Sequence, residues 1–268
     1  MYKKREHIHF MGIGGIGMSG IAEILKLRGY KVSGCDVGSG GKTLDHLAAI
    51  GCTISQGHDV AHMHEADVLV YSSAVQQSDV EVQAALAKGI PVIPRALMLG
   101  ELMRTKYSVA VSGAHGKTTT TAMIAKILIE TKKDPSVIVG SLLKEYQSNL
   151  IVGAGEHFVV EACEYERSFL NIHPKVLVIT NIEAEHLDYY KDLADIQSAF
   201  RTLVGQTGSV VVCDPNHPAV AEVVKDASIP VIDYTSYLSR VPKLAVPGEH
   251  NRVDAAAALA VTDYIGIP

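Results

Sequence analysis

The chain has 268 residues, of which 47% are hydrophobic and 20% charged, and its formal net charge is −5, a length that favours two domains with separate cores. Its Lys and Arg residues are scattered and form no basic stripe, so nucleic acid is not an expected partner. The sequence leaves the oligomeric state open. The four cysteines form no CxxC pair, which argues against a zinc knuckle or a disulfide framework, and no run is apolar enough for a signal peptide or membrane span, so we expect a cytoplasmic protein without membrane contact.

Short apolar runs rich in Val and Ile alternate along the chain with longer stretches of helical period. The predicted strands are, in chain order, IHFMG (8–12), KVSGC (31–35), DVLVYSS (67–73), IPVIP (90–94), SVAVSG (108–113), HFVVEA (157–162), KVLVITN (175–181) and SVVVCD (209–214). This alternation predicts an α/β protein with mostly parallel sheets and crossover helices. A fresh strand, loop and helix begin after PVIPRALMLGELMRTK, so we expect a domain boundary near Lys106, with domains at 1–106 and 107–268.

The first glycine-rich loop follows the strand HIHFM and opens the helix MSGIAEILKLRG. Gly12, Gly14 and Gly17 fit GxGxxG, and Asp36 ends the next strand, where a dinucleotide fold places its ribose acid. Glycines let the backbone approach a diphosphate, and a helix N-terminus supplies free N–H groups and partial positive charge. The pattern therefore predicts a Rossmann-like domain that binds a pyrophosphate ligand, with a ligand-free tight turn as the alternative.

The second loop, GAHGKTTTT (113–121), follows YSVAVSG and opens the helix TTTTAMIAKIL. Lys117 can reach the β- and γ-phosphates of ATP, and Thr118 can place its hydroxyl on Mg²⁺. Gly113 stands only three residues before Gly116, so the loop is shorter than the common GxxxxGKT loop. A helix cap without a nucleotide is the alternative. We predict a P-loop ATP domain with the binding residues Gly113, Ala114, His115, Gly116, Lys117, Thr118 and Thr119.

An ATP loop and a separate diphosphate loop together suggest an enzyme that activates a nucleotide-linked substrate. The motifs GIGGIGMSGIA, VYSSAV, IPRALMLGELM, SGAHGKTTTTAM, VVEACEYERSFL, VITNIEAEHLDYY and PGEHNRVDAAAALA resemble, in the same order and over nearly the whole chain, those of the Mur ligases of peptidoglycan synthesis. The resemblance implies a Rossmann-like UDP-sugar-binding domain followed by a central ATP-binding domain. It also implies ATP-dependent amide bond formation, in which the carboxylate of UDP-N-acetylmuramate becomes an acyl phosphate that the amine of L-alanine attacks.

The same resemblance assigns residues to each ligand. The UDP-sugar residues that it implies are Gly12, Gly14, Gly15, Gly17, Asp36, Ser72, Ser73 and Arg95. Asn251, in GEHNRVD, matches the adenine site, whereas Asp254 stands where the family has a second Asn, so its contact with adenine is left open.

Magnesium and catalysis are assigned to the central domain. Glu161 matches the magnesium glutamate of the family and His186 the histidine on a second magnesium ion. With Thr118 they form the predicted metal set, and with Lys117 the predicted catalytic set. We prefer Glu161 to Glu164 because it ends the buried-looking strand HFVVEA, where an uncompensated carboxylate would cost several kcal/mol, while Glu164 lies in the following loop.

Several functions remain open from the sequence. A ligase that adds L-alanine fits best, the same chemistry suits a recycling ligase that adds a ready-made tripeptide, and a non-catalytic nucleotide-binding protein derived from a Mur ligase is a third candidate. An NAD-dependent oxidoreductase leaves GAHGKTTTT, Glu161 and His186 without a role. The resemblance also implies a third, amino-acid-binding domain that is absent from this chain, so we expect bond formation to require that further domain.

Overall fold

The computed structural model describes residues 6–38, 40–63, 65–143, 146 and 148–267, apart from the side chains of Ile16 and Leu142. The chain divides into two compact units, Met1–Leu99 and Gly100–Pro268. Each unit has its own sheet with helices, and the predicted α/β class with mostly parallel sheets is confirmed. The boundary near Lys106 stays a proposal. No helix in the described ranges has the length and apolar character needed to cross a membrane.

The first unit contains a parallel sheet in the order β3-β2-β1-β4-β5. Its strands are β1 (His7–Met11), β2 (Lys31–Asp36), β3 (Thr53–Gln56), β4 (Val68–Tyr71) and β5 (Val92–Pro94), and its helices are α1 (Ile16–Leu27), α2 (Lys42–Ala49), α3 (Val80–Ala87) and the start of α4 (Arg95–Arg104). Strand order reverses at β1, between β2 and β4. Open α/β sheets bind ligands at such a switch point, beyond the carboxyl ends of the strands.

The second unit contains a sheet in the order β12-β11-β10-β6-β9-β7-β8, in which β7 and β8 pair antiparallel. Its strands are β6 (Tyr107–Ser112), β7 (Ser136–Leu143), β8 (Ser148–Ile151), β9 (His157–Glu161), β10 (Val176–Ile179), β11 (Val210–Cys213) and β12 (Val231–Asp233). Its further helices are α5 (Lys117–Glu130), α6 (Leu193–Gln206), α7 (Pro218–Val224) and α8 (Glu249–Tyr264). Because β6 lies between β9 and β10, the ends of these three parallel strands meet at one edge.

The core of the second unit explains where the loop after β6 is held. Val109 and Val111 of β6 are fully buried against Ile124 of α5 and Ala257 and Val261 of α8. Small alanines on α8 allow its close approach to α5.

The predicted strands did not include β3, β7, β8 or β12, which lie at or next to sheet edges. The edge strand β3 lacks an apolar run because its faces are half-exposed, whereas β7 contains the buried run Val137–Val139, which the prediction overlooked.

Candidate functional site

The glycine-rich loop of the first unit is anchored to the end of β2. The N–H of Gly12 donates to the carbonyl of Cys35 at 2.8 Å. The Asp36 carboxylate accepts hydrogen bonds from the N–H of Gly14 at 2.8 Å and of Gly38 at 2.9 Å. Asp36 therefore orders the loop as well as standing at the position of a ribose acid.

A pocket of about 520 Å³ opens at this loop, a volume typical of small-molecule sites. Its lining includes the predicted residues Gly12, Gly14, Gly15, Asp36 and Ser72. The other three predicted residues lie elsewhere: Ser73 is exposed beside it, and Arg95 packs over Gly17, where an added Cβ would lie 2.7 Å from a guanidinium nitrogen.

The pocket also contains residues that the sequence reasoning missed. Lys42 and Thr43 begin α2 at the pocket wall. His58 lines the pocket too, and its Nδ1 lies 2.5 Å from the carboxylate of Asp79. The sequence contained a sign of Lys42 and Thr43, because Gly41-Lys42-Thr43 repeats the Gly-Lys-Thr tripeptide found at 116–118. These residues add positive charge and free N–H groups to the pocket.

In the second unit, residues at the end of β10 hold the phosphate loop in place. The Asn181 side chain accepts from the N–H of His115 at 2.9 Å and donates to the His115 carbonyl at 3.2 Å. Thr180 Oγ1 donates to the same carbonyl at 2.6 Å. The loop is thereby fixed at its midpoint, between the strand that precedes it and the helix that follows.

The Lys117 ammonium group is held across its own loop. It donates to the carbonyls of Gly113 and Ala114 and forms an ion pair with Glu164 at 3.1 Å. The Glu164 side chain is 5% exposed, and His186 Nε2 lies 3.4 Å from the same carboxylate. Glu164, which the sequence reasoning set aside, thus joins the predicted Lys117 and His186. Because the partners are far apart in sequence, no local pattern pointed to it.

Thr118 and Glu161 form a separate pair. Thr118 Oγ1 donates to Glu161 Oε2 at 2.8 Å, and the N–H of Gly140 donates to the same oxygen at 2.9 Å. A hydroxyl and a carboxylate side by side are the hard oxygen ligands that Mg²⁺ prefers. His186 instead groups with Glu164 and Glu185, whose ligand atoms lie within 4.8 Å of its own. The predicted metal residues therefore fall into two sets.

The backbone around Glu164 and His186 is anchored by buried contacts. His186 has φ +54°, an uncommon conformation for a residue other than glycine. The Tyr165 ring packs 5.0 Å from the His186 ring. Tyr190 donates its hydroxyl to the Glu164 carbonyl at 2.5 Å, and burial raises the pKa of Tyr190 to about 12, so the hydroxyl remains a donor at neutral pH. Uncommon backbone angles of this kind cluster at functional sites.

Helix α8 supports the phosphate loop. Asn251 is buried and donates to the carbonyl of Pro247 at 2.7 Å. Asp254 is buried and accepts from Thr120 Oγ1 at 3.2 Å. Gly116 has φ +78°, and a Cβ there would lie 2.3 Å from Asp254 Oδ1, so only glycine fits this position. Burial raises the pKa of Asp254 to about 6.

Comparison with known proteins covers most of the chain. Residues 7–107 match the Mur ligase family, catalytic domain, and residues 111–240 match the Mur ligase middle domain. The chain is 42% identical over 295 residues to the UDP-N-acetylmuramate–L-alanine ligase of Desulfosudis oleivorans, covering 100% of this chain and 64% of the relative. It therefore spans somewhat less than two thirds of that relative's length.

Two solved structures share the fold. The UDP-N-acetylmuramate:L-alanyl-gamma-D-glutamyl-meso-diaminopimelate ligase from Neisseria meningitides aligns with a TM-score of 0.85 at 26% identity, covering 98% of this chain and 95% of that one. The UDP-N-acetylmuramate-alanine ligase from Thermotoga maritima aligns with a TM-score of 0.78 at 26% identity, covering 98% of this chain and 66% of that one.

Proposed function

Because this chain belongs to the Mur ligase family, we propose that it functions in the cytoplasm in the ATP-dependent joining of L-alanine to UDP-N-acetylmuramate during peptidoglycan precursor synthesis. The observation that carries the proposal is the second unit's site, in which Lys117, Thr118, Glu161 and His186 surround one phosphate loop. An oxidoreductase would need none of these groups. The identity to an alanine-adding ligase favours L-alanine over a tripeptide as the acceptor.

The first unit holds the UDP-sugar. The diphosphate lies against the glycine loop at Gly12, Gly14 and Gly15, where the lack of side chains permits close approach to the backbone, and Lys42 contributes a positive charge from the pocket lining. Asp36, already bonded to the loop, retains acceptor capacity for a ribose or uracil donor. This arrangement supports binding of a nucleoside diphosphate and requires no hydride chemistry.

ATP binding in the second unit changes the partner of Lys117. The ammonium group pairs with one carboxylate in the ligand-free chain. A triphosphate carries more negative charge than that carboxylate and also binds the first-turn N–H groups of α5. Lys117 therefore moves from Glu164 to the phosphates, and Glu164 becomes free to act together with His186. Asn251 holds adenine at the start of α8.

Magnesium fits the residues present. Thr118 and Glu161 would hold one ion, and His186 with Glu164 a second, since both sets offer oxygen or imidazole ligands close together. Bound Mg²⁺ neutralises the phosphate charge that would repel an attacking carboxylate.

The reaction proceeds in two displacements. A carboxylate oxygen of UDP-N-acetylmuramate bonds to the γ-phosphorus as the bond to ADP breaks, which gives an acyl phosphate. The ammonium group of L-alanine first releases a proton to solvent. The resulting amine bonds to the acyl carbon, the bond between that carbon and the phosphate oxygen breaks, and inorganic phosphate leaves with the second amine proton. The chain's own residues orient the phosphates through Lys117 and the loop N–H groups throughout.

The test is calorimetry of the 268-residue chain with Mg-ATP and with UDP-N-acetylmuramate separately. Lys117→Ala should weaken Mg-ATP binding on the order of 100-fold, because a charge-assisted contact is lost, and leave UDP-N-acetylmuramate binding unchanged. Lys126→Ala is the matched control, since Lys126 pairs with Glu130 on the exposed side of the same helix. Equal loss of both ligands in Lys117→Ala would show that the assignment of one ligand to each unit is wrong.

A second measurement separates the candidate functions. In a protein extended to the full length of its relatives, ADP formation in the presence of UDP-N-acetylmuramate should depend on L-alanine. Dependence on L-alanyl-γ-D-glutamyl-meso-diaminopimelate instead would identify the recycling activity. Binding of both nucleotides without acceptor-dependent turnover in a ligase extended to the full length of its relatives would identify a non-catalytic protein.

A further inference from the structure

A buried group of metal-binding side chains lies below the glycine loop of the first unit, and none of its members lines the pocket. His9 is on β1, Cys35 is on β2 and Glu81 is in the first turn of α3. Their exposed fractions are 1%, 0% and 0%. The histidine nitrogen, the cysteine sulfur and a carboxylate oxygen all lie within 4.8 Å of one another. Imidazole, thiolate and carboxylate together are a zinc ligand set.

The three ligand atoms converge on one point. Glu81 Oε2 lies 3.1 Å from Cys35 Sγ and 3.2 Å from His9 Nε2. In a tetrahedral zinc site with bonds of about 2.0–2.3 Å, neighbouring ligand atoms are about 3.3–3.6 Å apart. The observed spacing is close to this. Small side-chain shifts would therefore let one cation take the place of the two hydrogen bonds that Cys35 and His9 now make to this oxygen.

The charges of these ligands suit a dication. A divalent ion with one carboxylate, one thiolate and one neutral imidazole has no net charge, which removes the cost of a buried ion.

The groups around the cluster already orient its ligands. Ser33 Oγ lies 2.8 Å from His9 Nδ1 and 2.7 Å from His7 Nε2. The N–H of Asp59 donates to Glu81 Oε1 at 2.9 Å. Such outer contacts fix the ring and carboxylate orientations in metal sites.

His62 holds the second oxygen of Glu81 on the solvent side. Its Nδ1 lies 2.8 Å from Glu81 Oε1, and its side chain is 19% exposed. This contact orients the Glu81 carboxylate, and a water molecule can take the fourth position on a tetrahedral ion.

We propose that His9, Cys35 and Glu81 form a site for a divalent transition metal, for which Zn²⁺ fits best. On binding, the Cys35 S–H bond breaks, a metal–sulfur bond forms and the thiol proton passes to solvent. His9 changes tautomer, so that Nε2 binds the metal and Nδ1 carries the proton and donates it to Ser33 Oγ. The ion joins β1, β2 and α3. Since the Cys35 carbonyl accepts the N–H groups of Gly12 and Ile13, the site stiffens the base of the glycine loop. It is independent of the ATP chemistry of the second unit.

Co²⁺ is the probe that tests the site. The full chain, first treated with a chelator, should bind one equivalent of Co²⁺ with the charge-transfer absorption of a thiolate–cobalt bond and the strong visible bands of tetrahedral Co²⁺. Zn²⁺ should displace the signal, and Mg²⁺, which avoids sulfur ligands, should not. Zn²⁺ should also raise the melting temperature of the chain.

Cysteine variants assign the signal. Cys35→Ser should abolish the charge-transfer band, while Cys52→Ser, which alters another buried thiol of the same unit, should keep it. Cys163→Ser should also keep it; loss there would place the metal beside Glu164, Glu185 and His186 and overturn the proposal. Should Cys35→Ser fail to fold, a chain with Cys52, Cys163 and Cys213 all changed to Ser must still show a sulfur ligand by X-ray absorption. A chain that binds Co²⁺ without any sulfur ligand, or not at all, has a hydrogen-bonded network only.

Discussion

The Asp254→Asn substitution tests the electrostatics beneath the phosphate loop. Asp254 is 7% exposed on α8, between Gly116 and Thr120. Burial raises its pKa from 3.8 to about 6, against the opposing effects of the Thr120 hydrogen bond and the charge of His250. Asparagine has the same shape and keeps an oxygen for Thr120 but removes the buried negative charge.

The magnitude follows from the two pKa values. The folded chain binds this proton more tightly than the unfolded chain, so the free energy of unfolding falls as the pH rises from about 3.8 to about 6 and then levels off. At about 1.4 kcal/mol per pKa unit, the ionised group costs up to about 3 kcal/mol at pH 7.5. The variant should therefore be more stable than the wild type at pH 7.5, with a difference of about 2–3 kcal/mol that largely disappears by pH 4.

Urea unfolding followed by far-UV circular dichroism at pH 4.5 and 7.5 measures this difference. The transition that Mg-ATP shifts to higher urea belongs to the second unit. Asp263→Asn is the matched control on the same helix, because hydrogen bonds from Arg240 and Tyr237 lower the pKa of Asp263 and its neutralisation should not stabilise. A variant Asp254→Asn that is no more stable at pH 7.5, or equally stabilised at both pH values, would refute the reasoning.

Three further substitutions probe individual contacts. Gly116→Ala places a Cβ 2.3 Å from Asp254 Oδ1 at φ +78°, so calorimetry should show loss of ATP binding with UDP-N-acetylmuramate binding retained; retained ATP affinity would contradict the loop geometry. Glu161→Gln should leave metal-free ATP binding unchanged but reduce the gain from Mg²⁺ on the order of 10- to 100-fold, and an undiminished gain would remove Glu161 from the metal site. Tyr190→Phe leaves the Glu164 carbonyl without its 2.5 Å partner, which should cost about 1–3 kcal/mol and lower the melting temperature; an unchanged melting temperature would show that water replaces the hydroxyl.

The amino-acid sequence by itself determined the fold class and the positions of the two glycine-rich loops between strand and helix. A glycine-rich turn between a buried strand and a helix depends on adjacent residues, so the loops after β1 and β6 could be placed directly. Glu161 lies at the end of β9, as the sequence predicted, and its role as a metal ligand stays a prediction. The edge strand Thr53–Gln56 was missed because its half-exposed faces lack an apolar run.

Tertiary structure alone decided which distant side chains meet. Lys117 pairs with Glu164, which is 47 residues away in the sequence. Cys35 contacts Glu81, which is 46 residues away. Neither spacing belongs to a known motif, so the spacing of the cysteines could not reveal the cluster of His9, Cys35 and Glu81. The pKa of Asp254 likewise depends on burial under the phosphate loop. Burial of a charged group and contact between distant residues arise only when helices and strands pack, so a short segment of sequence does not reveal them.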